Sequence, residues 1–133
     1  MEKILLAYDG TPESKRALET ATSLCKAFGA SLAVVSVVPY HPGRSPIDPW
    51  DDRETHAKEL IEARELLRES GIEAQLLEPV GEPANAIEQI ASKGKFDTIV
   101  VGTRGQGVLG RLFQGSVSEH VATHAEVTVV VAR

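Results

Sequence analysis

The sequence predicts a three-layer, doubly wound α/β domain built on a parallel sheet. Three observations carry this. Short, nearly continuous apolar runs at Ile4 to Tyr8, Ser31 to Val38, Phe96 to Val101 and Val127 to Ala132 read as strands covered on both faces. Between them lie segments whose apolar residues recur at helical spacing. The two kinds alternate as β-α-β-α-β-α-β-α-β, which implies parallel strands joined by right-handed crossovers. At 133 residues, 42% of them hydrophobic, the chain has the length of one domain, 1–133, and the material for its own core.

Each element has local reasons. The first run closes on Asp9-Gly10-Thr11-Pro12, where Thr11 suits an N-cap and Pro12 the first helical position. Ala17, Leu18, Ala21, Leu24, Cys25 and Phe28 give the first helix its apolar stripe, and Gly29 stops it. Cys25 reads as a small core residue. Pro39 ends the second strand, and Tyr40 to Trp50, with Pro42, Gly43, Pro46 and Pro49, is a loop. Asp51 to Glu69 is a charged helix with Ala57, Leu60, Ala63 and Leu67 as its buried stripe and its other charges solvated. Ile72 to Glu78 alternates and predicts a less buried strand, and Pro79 to Pro83 a turn. Ala84, Ile87, Ile90 and Ala91 mark a third helix broken at Gly94, and a fourth runs from about Ser116 to His124.

Composition narrows the function. A net charge of −5 without a Lys/Arg cluster argues against nucleic acid as a partner, and the few aromatics argue against base stacking. One cysteine rules out an intrachain disulfide and fits a reducing compartment. No run approaches membrane-spanning length, so no membrane is expected and a cytoplasmic protein is.

The chemistry gathers after the fourth strand, where Gly102-x2-Gly105-x9-Gly115-Ser116 leads into a helix. Amides in a glycine loop and at a helix start favour an anion. Gly102, Gly105 and Gly115 would let backbone approach phosphates without a Cβ in the way. The amides of Ser116 and Val117 and the hydroxyls of Ser116 and Ser118 would donate, and Arg104 could add a charge-assisted bond. Asp9 ends the first strand, and ligands in such folds sit at strand carboxyl ends where the winding reverses. The lesser alternative is that Asp9 simply caps the turn at Gly10-Thr11.

Other motifs fall away. Gly105 to Gly110 matches the dinucleotide fingerprint, but the strand that follows ends at Ala132-Arg133 without the acidic residue that fingerprint requires. A Walker A sequence is absent. His120 and His124 have a zinc-binding spacing but lack the intervening glutamate and a third ligand. The third strand ends in Leu77-Glu78, not the aspartate of a receiver domain, and Asp9-Gly-Thr-Pro is not a flavodoxin phosphate loop.

The glycine spacing, the opening Ile4-Leu-Leu-Ala-Tyr-Asp9-Gly10, the Ser14-x-x-Ala17-Leu18 and the closing Gly115-Ser-Val-Ser-Glu-His-Val121 together resemble the universal stress protein family, over the whole chain. With its glycines intact, the sequence is similar to the ATP-binding branch. The resemblance implies a Rossmann-like, adenine nucleotide alpha hydrolase-like sheet of five strands in the order 3-2-1-4-5. It implies ATP, or ADP or AMP, with Mg2+. Asp9 would lie near ribose and metal, Val37 would present backbone to adenine, and Ala7 would line the adenine side. It also implies a homodimer through the fifth strand. Val127 to Val131, β-prone, uncharged and free of proline, invites the same pairing if it lies at a sheet edge. The expectation is a dimeric, ATP-binding stress-response protein whose nucleotide acts as a signal or latch. Two alternatives stay open: a slow ATPase with Asp9 holding magnesium, and an interaction module that binds no nucleotide.

Overall fold

Successive residues of each strand point to opposite faces of the sheet, and this alternation builds the two cores. The structure, a computed structural model, describes residues 1–39, 53–81, 83–102 and 127–132. In chain order the elements are β1 (Lys3–Ala7), α1 (Pro12–Phe28), β2 (Ser31–Val35), β3 (Val38–Pro39), α2 (Arg53–Glu69), β4 (Ala74–Leu77), β5 (Val80–Gly81), α3 (Pro83–Lys93), β6 (Thr98–Gly102) and β7 (Thr128–Ala132).

Five strands make one parallel sheet in the order β4-β2-β1-β6-β7. Counting only these five along the chain, the order is 3-2-1-4-5, as the resemblance implied. On one face Ile4, Leu6 and Tyr8 of the first strand region and Leu32, Val34 and Val100 meet Ala17, Leu18, Ala21 and Cys25 of α1 and Leu60, Ala63 and Leu67 of α2. On the other, Leu5, Ala33, Val35, Ile99 and Val101 meet Ile87 and Ala91 of α3 and the Phe96 ring. Each fully buried leucine or isoleucine contributes about 1.5–3 kcal/mol through removal from water. The right-handed crossover rule explains why α1 and α2 share a face and α3 lies opposite. The chain walks outward from β1 to β2 to β4, then returns past both to β6, so the winding reverses between β1 and β6.

Several expectations need correction. The second strand loses its pairing with β1 after Val35, because β1 ends at Ala7. It resumes as β3, which pairs with β5 in register Val38↔Val80 and Pro39↔Gly81, so the segment after Pro79 is not only a turn. Phe28 is 58% exposed, since the buried stripe of α1 stops at Cys25. The α2 stripe begins at His56, not Ala57, which puts a polar residue in the row with Leu60, Ala63 and Leu67. The Tyr40 to Trp50 segment and the expected fourth helix, with His120 and His124, lie outside the described residues.

The amino-terminal end of the sheet is pinned by polar contacts. Asp97 accepts from the Glu2 amide at 2.7 Å, the Lys3 amide at 3.2 Å and the Thr98 hydroxyl at 2.8 Å. Lys3 donates to the Gly94 carbonyl and lies over the Phe96 ring. No described helix is long and apolar enough to cross a membrane.

Candidate functional site

The opposite end of the sheet is where the strands finish unevenly. The Tyr8 amide donates to the Val35 carbonyl at 3.0 Å, and with that bond the β1–β2 ladder ends. The chain then turns through Asp9 and Gly10, the latter at φ 79. Asp9 Oδ1 accepts from the Thr11 amide at 3.0 Å and the Thr11 hydroxyl at 2.5 Å. Thr11 Oγ1 in turn accepts from the Ser14 amide at 3.2 Å, capping α1. Asp9 therefore holds the turn, as the local reading allowed, while remaining exposed at the end of β1.

The β2 chain runs on. Its Ser36 amide donates to Leu77 O at 3.0 Å and its Val38 amide to Pro79 O at 2.8 Å. Residues 36 and 38 thus turn their peptide groups toward the β4 side. In extended chain the intervening Val37 turns its N–H and C=O the other way, past the end of β1. Among the described residues that edge has no backbone partner. The Val37 and Ala7 side chains pack against the core on the α3 side.

Gly102 ends β6, paired with Ala132. A Cβ there would stand 2.6 Å from the carbonyl oxygen of Glu13 and 2.7 Å from its carbonyl carbon. The glycine thus lets the first turn of α1 close over the end of β6. This packing duty, and not a positive φ, is what the described structure shows for it. Ala7, Asp9, Val37 and Gly102 gather at one end of the sheet, around the switch point. Arg104, Gly105, Gly115, Ser116, Val117 and Ser118 lie outside the described residues.

Sequence reasoning missed a second polar group beside them. Ser36 Oγ lies 2.8 Å from His56 Nδ1 and donates to Glu59 Oε2 at 3.1 Å, and His56 Nδ1 lies 3.3 Å from the same Glu59 oxygen. The Tyr8 hydroxyl donates to Glu62, which also pairs with Lys15 at 3.6 Å. His56, Glu59 and Glu62 recur every three residues, so α2 aims all three at the ends of β1 and β2. Burial pushes the Glu59 carboxyl above its usual range; His56 and the Ser36 bond pull it back, and the Asp9 charge adds to the rise. Burial, then the Glu62 bond and the neighbouring carboxylates, holds the Tyr8 phenol well above its usual range. The signal was present: His56 stands four residues before Leu60, on the apolar row.

The trio is not a hydrolytic triad. Such a triad needs acid and nucleophile on opposite ring nitrogens, and here both engage Nδ1. Ser36 is also only 2% exposed. Among the described residues no group of three or more His, Cys, Asp or Glu side chains is arranged to hold a metal ion.

The strand order defines a doubly wound α/β domain whose winding reverses between β1 and β6. The chain belongs to the universal stress protein family, whose model matches residues 1–133. It is 40% identical over 136 residues to the Thermus aquaticus protein described as the universal stress protein in the QAH/OAS sulfhydrylase 3′ region, covering 98% of this chain and 97% of that one. The structure of universal stress protein UspA from Lactobacillus plantarum is similar at TM-score 0.74 and 26% identity, over 99% of this chain and 97% of that one. The Archaeoglobus fulgidus universal stress protein in complex with dAMP shares the fold at TM-score 0.72 and 24% identity, over 100% and 98% of the two chains.

Proposed function

We propose that this chain is a dimeric, ATP-binding universal stress protein, in which the nucleotide acts as a regulatory signal. The observation that carries the reading is the overhang of the second strand. Val37 turns one donor and one acceptor of a single strand past the end of β1, where β1 can no longer use them. Adenine offers the complementary pair, an acceptor at N1 beside a donor at N6. Asp9 and Gly102 stand at the same end of the sheet, after β1 and at the end of β6, and the dAMP complex of the Archaeoglobus fulgidus relative supports an adenine nucleotide as ligand.

On this reading the glycine loop, with Arg104, Gly105 and the Gly115 to Ser118 stretch, receives the phosphates. An exposed carboxylate at a strand end also fits Mg2+, which is commonly held by one or two carboxylates together with nucleotide phosphates. Asp9 would hold it, and the ion would neutralise phosphate charge. A homodimer through β7 completes the proposal, because among the described residues β7 pairs with β6 alone.

Titration calorimetry with ATP, ADP and AMP, with and without Mg2+, tests it. Saturation at a hundred times Kd should stabilise the fold by about 2.7 kcal/mol. No heat of binding and no change in melting temperature at millimolar nucleotide would refute it. A phosphate-release assay with Asp9→Ala as control distinguishes a binder from a slow ATPase.

A further inference from the structure

Ser36 stands out in its strand. Along the α1/α2 face of the second strand the preceding inward residues are Leu32 and Val34, both buried, and the next is a serine just as buried. A valine there would bury more apolar surface. Burying a hydroxyl is tolerable only when it is fully hydrogen-bonded, and this one is, by two side chains of α2. The geometry accommodates both bonds: the Ser36 hydroxyl donates to Glu59 Oε2, and its lone pairs face His56 Nδ1.

The place of this cluster in the chain is informative. It ties residues 20 positions apart, on either side of the connection between β3 and α2. It also acts where the strand has lost its β1 neighbour. Beyond Val35, among the described residues, the backbone is hydrogen-bonded from the β4 side alone, through Ser36 to Leu77 and Val38 to Pro79. A strand held along one edge can twist about that edge. The Ser36 side chain, anchored on the α2 face, removes that freedom at the residue immediately before Val37. The turn after β1 passes beside the same glutamate: a Cβ added at Gly10 would come 3.6 Å from Glu59 Cγ.

We propose that Ser36, His56 and Glu59 form a positioning clamp on the Val37 peptide, which sets selectivity for the nucleotide base and leaves phosphate binding untouched. The clamp rests on the nucleotide reading given above. None of the three touches the nucleotide; each acts through the backbone of Val37. A merely structural role would weaken all ligands together, whereas the clamp weakens only those that carry adenine.

The test uses the full chain and three probes: ATP, GTP and inorganic tripolyphosphate. Ser36→Ala and His56→Leu should weaken ATP about tenfold, as expected for a misaligned hydrogen-bonded edge, while tripolyphosphate affinity stays within about twofold. The preference for ATP over GTP should fall with it. His56→Asn, whose amide nitrogen takes the place of Nδ1, should restore most of the ATP affinity. Equal losses for ATP and tripolyphosphate, or no loss at all, would overturn the clamp. Amide exchange in the nucleotide-free protein gives an independent measure. Val38 should exchange at least tenfold faster in Ser36→Ala, with the Leu6 and Val34 amides unchanged. A wild type that binds none of the probes refutes the nucleotide reading and the selectivity role together. Unchanged Val38 exchange refutes the clamp even in a protein that binds ATP.

Discussion

Replacing Gly102 by alanine probes the joint between β6 and α1. The added Cβ would sit 2.6 Å from the Glu13 carbonyl oxygen, 2.7 Å from its carbonyl carbon and 3.1 Å from its Cβ. Ordinary contact begins near 3.4 Å, so a gap of about 0.8 Å has to open. The obstacle is backbone and cannot rotate aside. Nor can the first turn of α1 retreat easily, because Thr11 caps it and Ser14 and Ala17 are buried beneath it. Overpacking of this kind costs about 1–3 kcal/mol. For a domain of this size that lowers the melting temperature by roughly 3–12 °C. Scanning calorimetry of the nucleotide-free protein reads it directly. A variant that melts within about 1 °C of the parent would show that α1 is not seated on Gly102. The glycine would then answer to a ligand alone.

Leu67→Ala removes a fully buried side chain from the α2 face and should cost about 2–5 kcal/mol in urea denaturation, with the slope unchanged. Asp97→Asn addresses acid stability. Partial burial opposes ionisation of Asp97, but the Glu2 amide, the Thr98 hydroxyl and the Lys3 amide hold its carboxyl below the usual range. A depressed folded value means its contribution is complete above the unfolded value of 3.8 and is lost as pH falls through the lower folded value. The variant should be about 1–2 kcal/mol less stable at pH 7, and the difference should shrink toward pH 2; a constant difference would contradict the assignment. Val129→Pro tests the edge of β7. The Thr128 amide donates inward to Asp97 O, so the Val129 amide faces outward, and proline there spares the ladder to β6. Sedimentation equilibrium should show a monomer with near-parental secondary structure; an unchanged dimer would place the contact elsewhere.

The sequence conveyed what periodicity encodes. Ile4, Leu6 and Tyr8 against Leu5 and Ala7 separate into two cores because alternation is written residue by residue. Thr11, Pro12 and Gly29 mark the ends of α1 because capping chemistry is local. What stayed illegible depends on partners far along the chain. Nothing near Gly102 announces that Glu13 will lie on it. The β3–β5 pairing was hidden because Pro39 and Pro79 read as terminators, although proline is tolerated at strand edges. Ser36, His56 and Glu59 passed as strand filler and solvated charge, since their meeting requires α2 to be laid on β2 first. The resemblance singled out Ala7, Asp9 and Val37; the structure sets all three at one end of the sheet, and the uneven strand ends there leave the Val37 peptide beyond the end of β1.

The pinning of Asp97 and Lys3 at the opposite end gives the sheet a hinge-like polarity, resembling a book bound along its spine. The Glu2 and Lys3 bonds to Asp97, with the Lys3 bond to Gly94, stitch the starts of β1 and β6 together. Among the described residues no comparable stitching joins the finishes of those strands at Ala7 and Gly102. Breathing motions should therefore open the strands from their ends backward, with amide protection rising from Gly102 toward Thr98. The bound margin is thus the one remote from Asp9 and Val37, and the looser leaves are the ones those residues border.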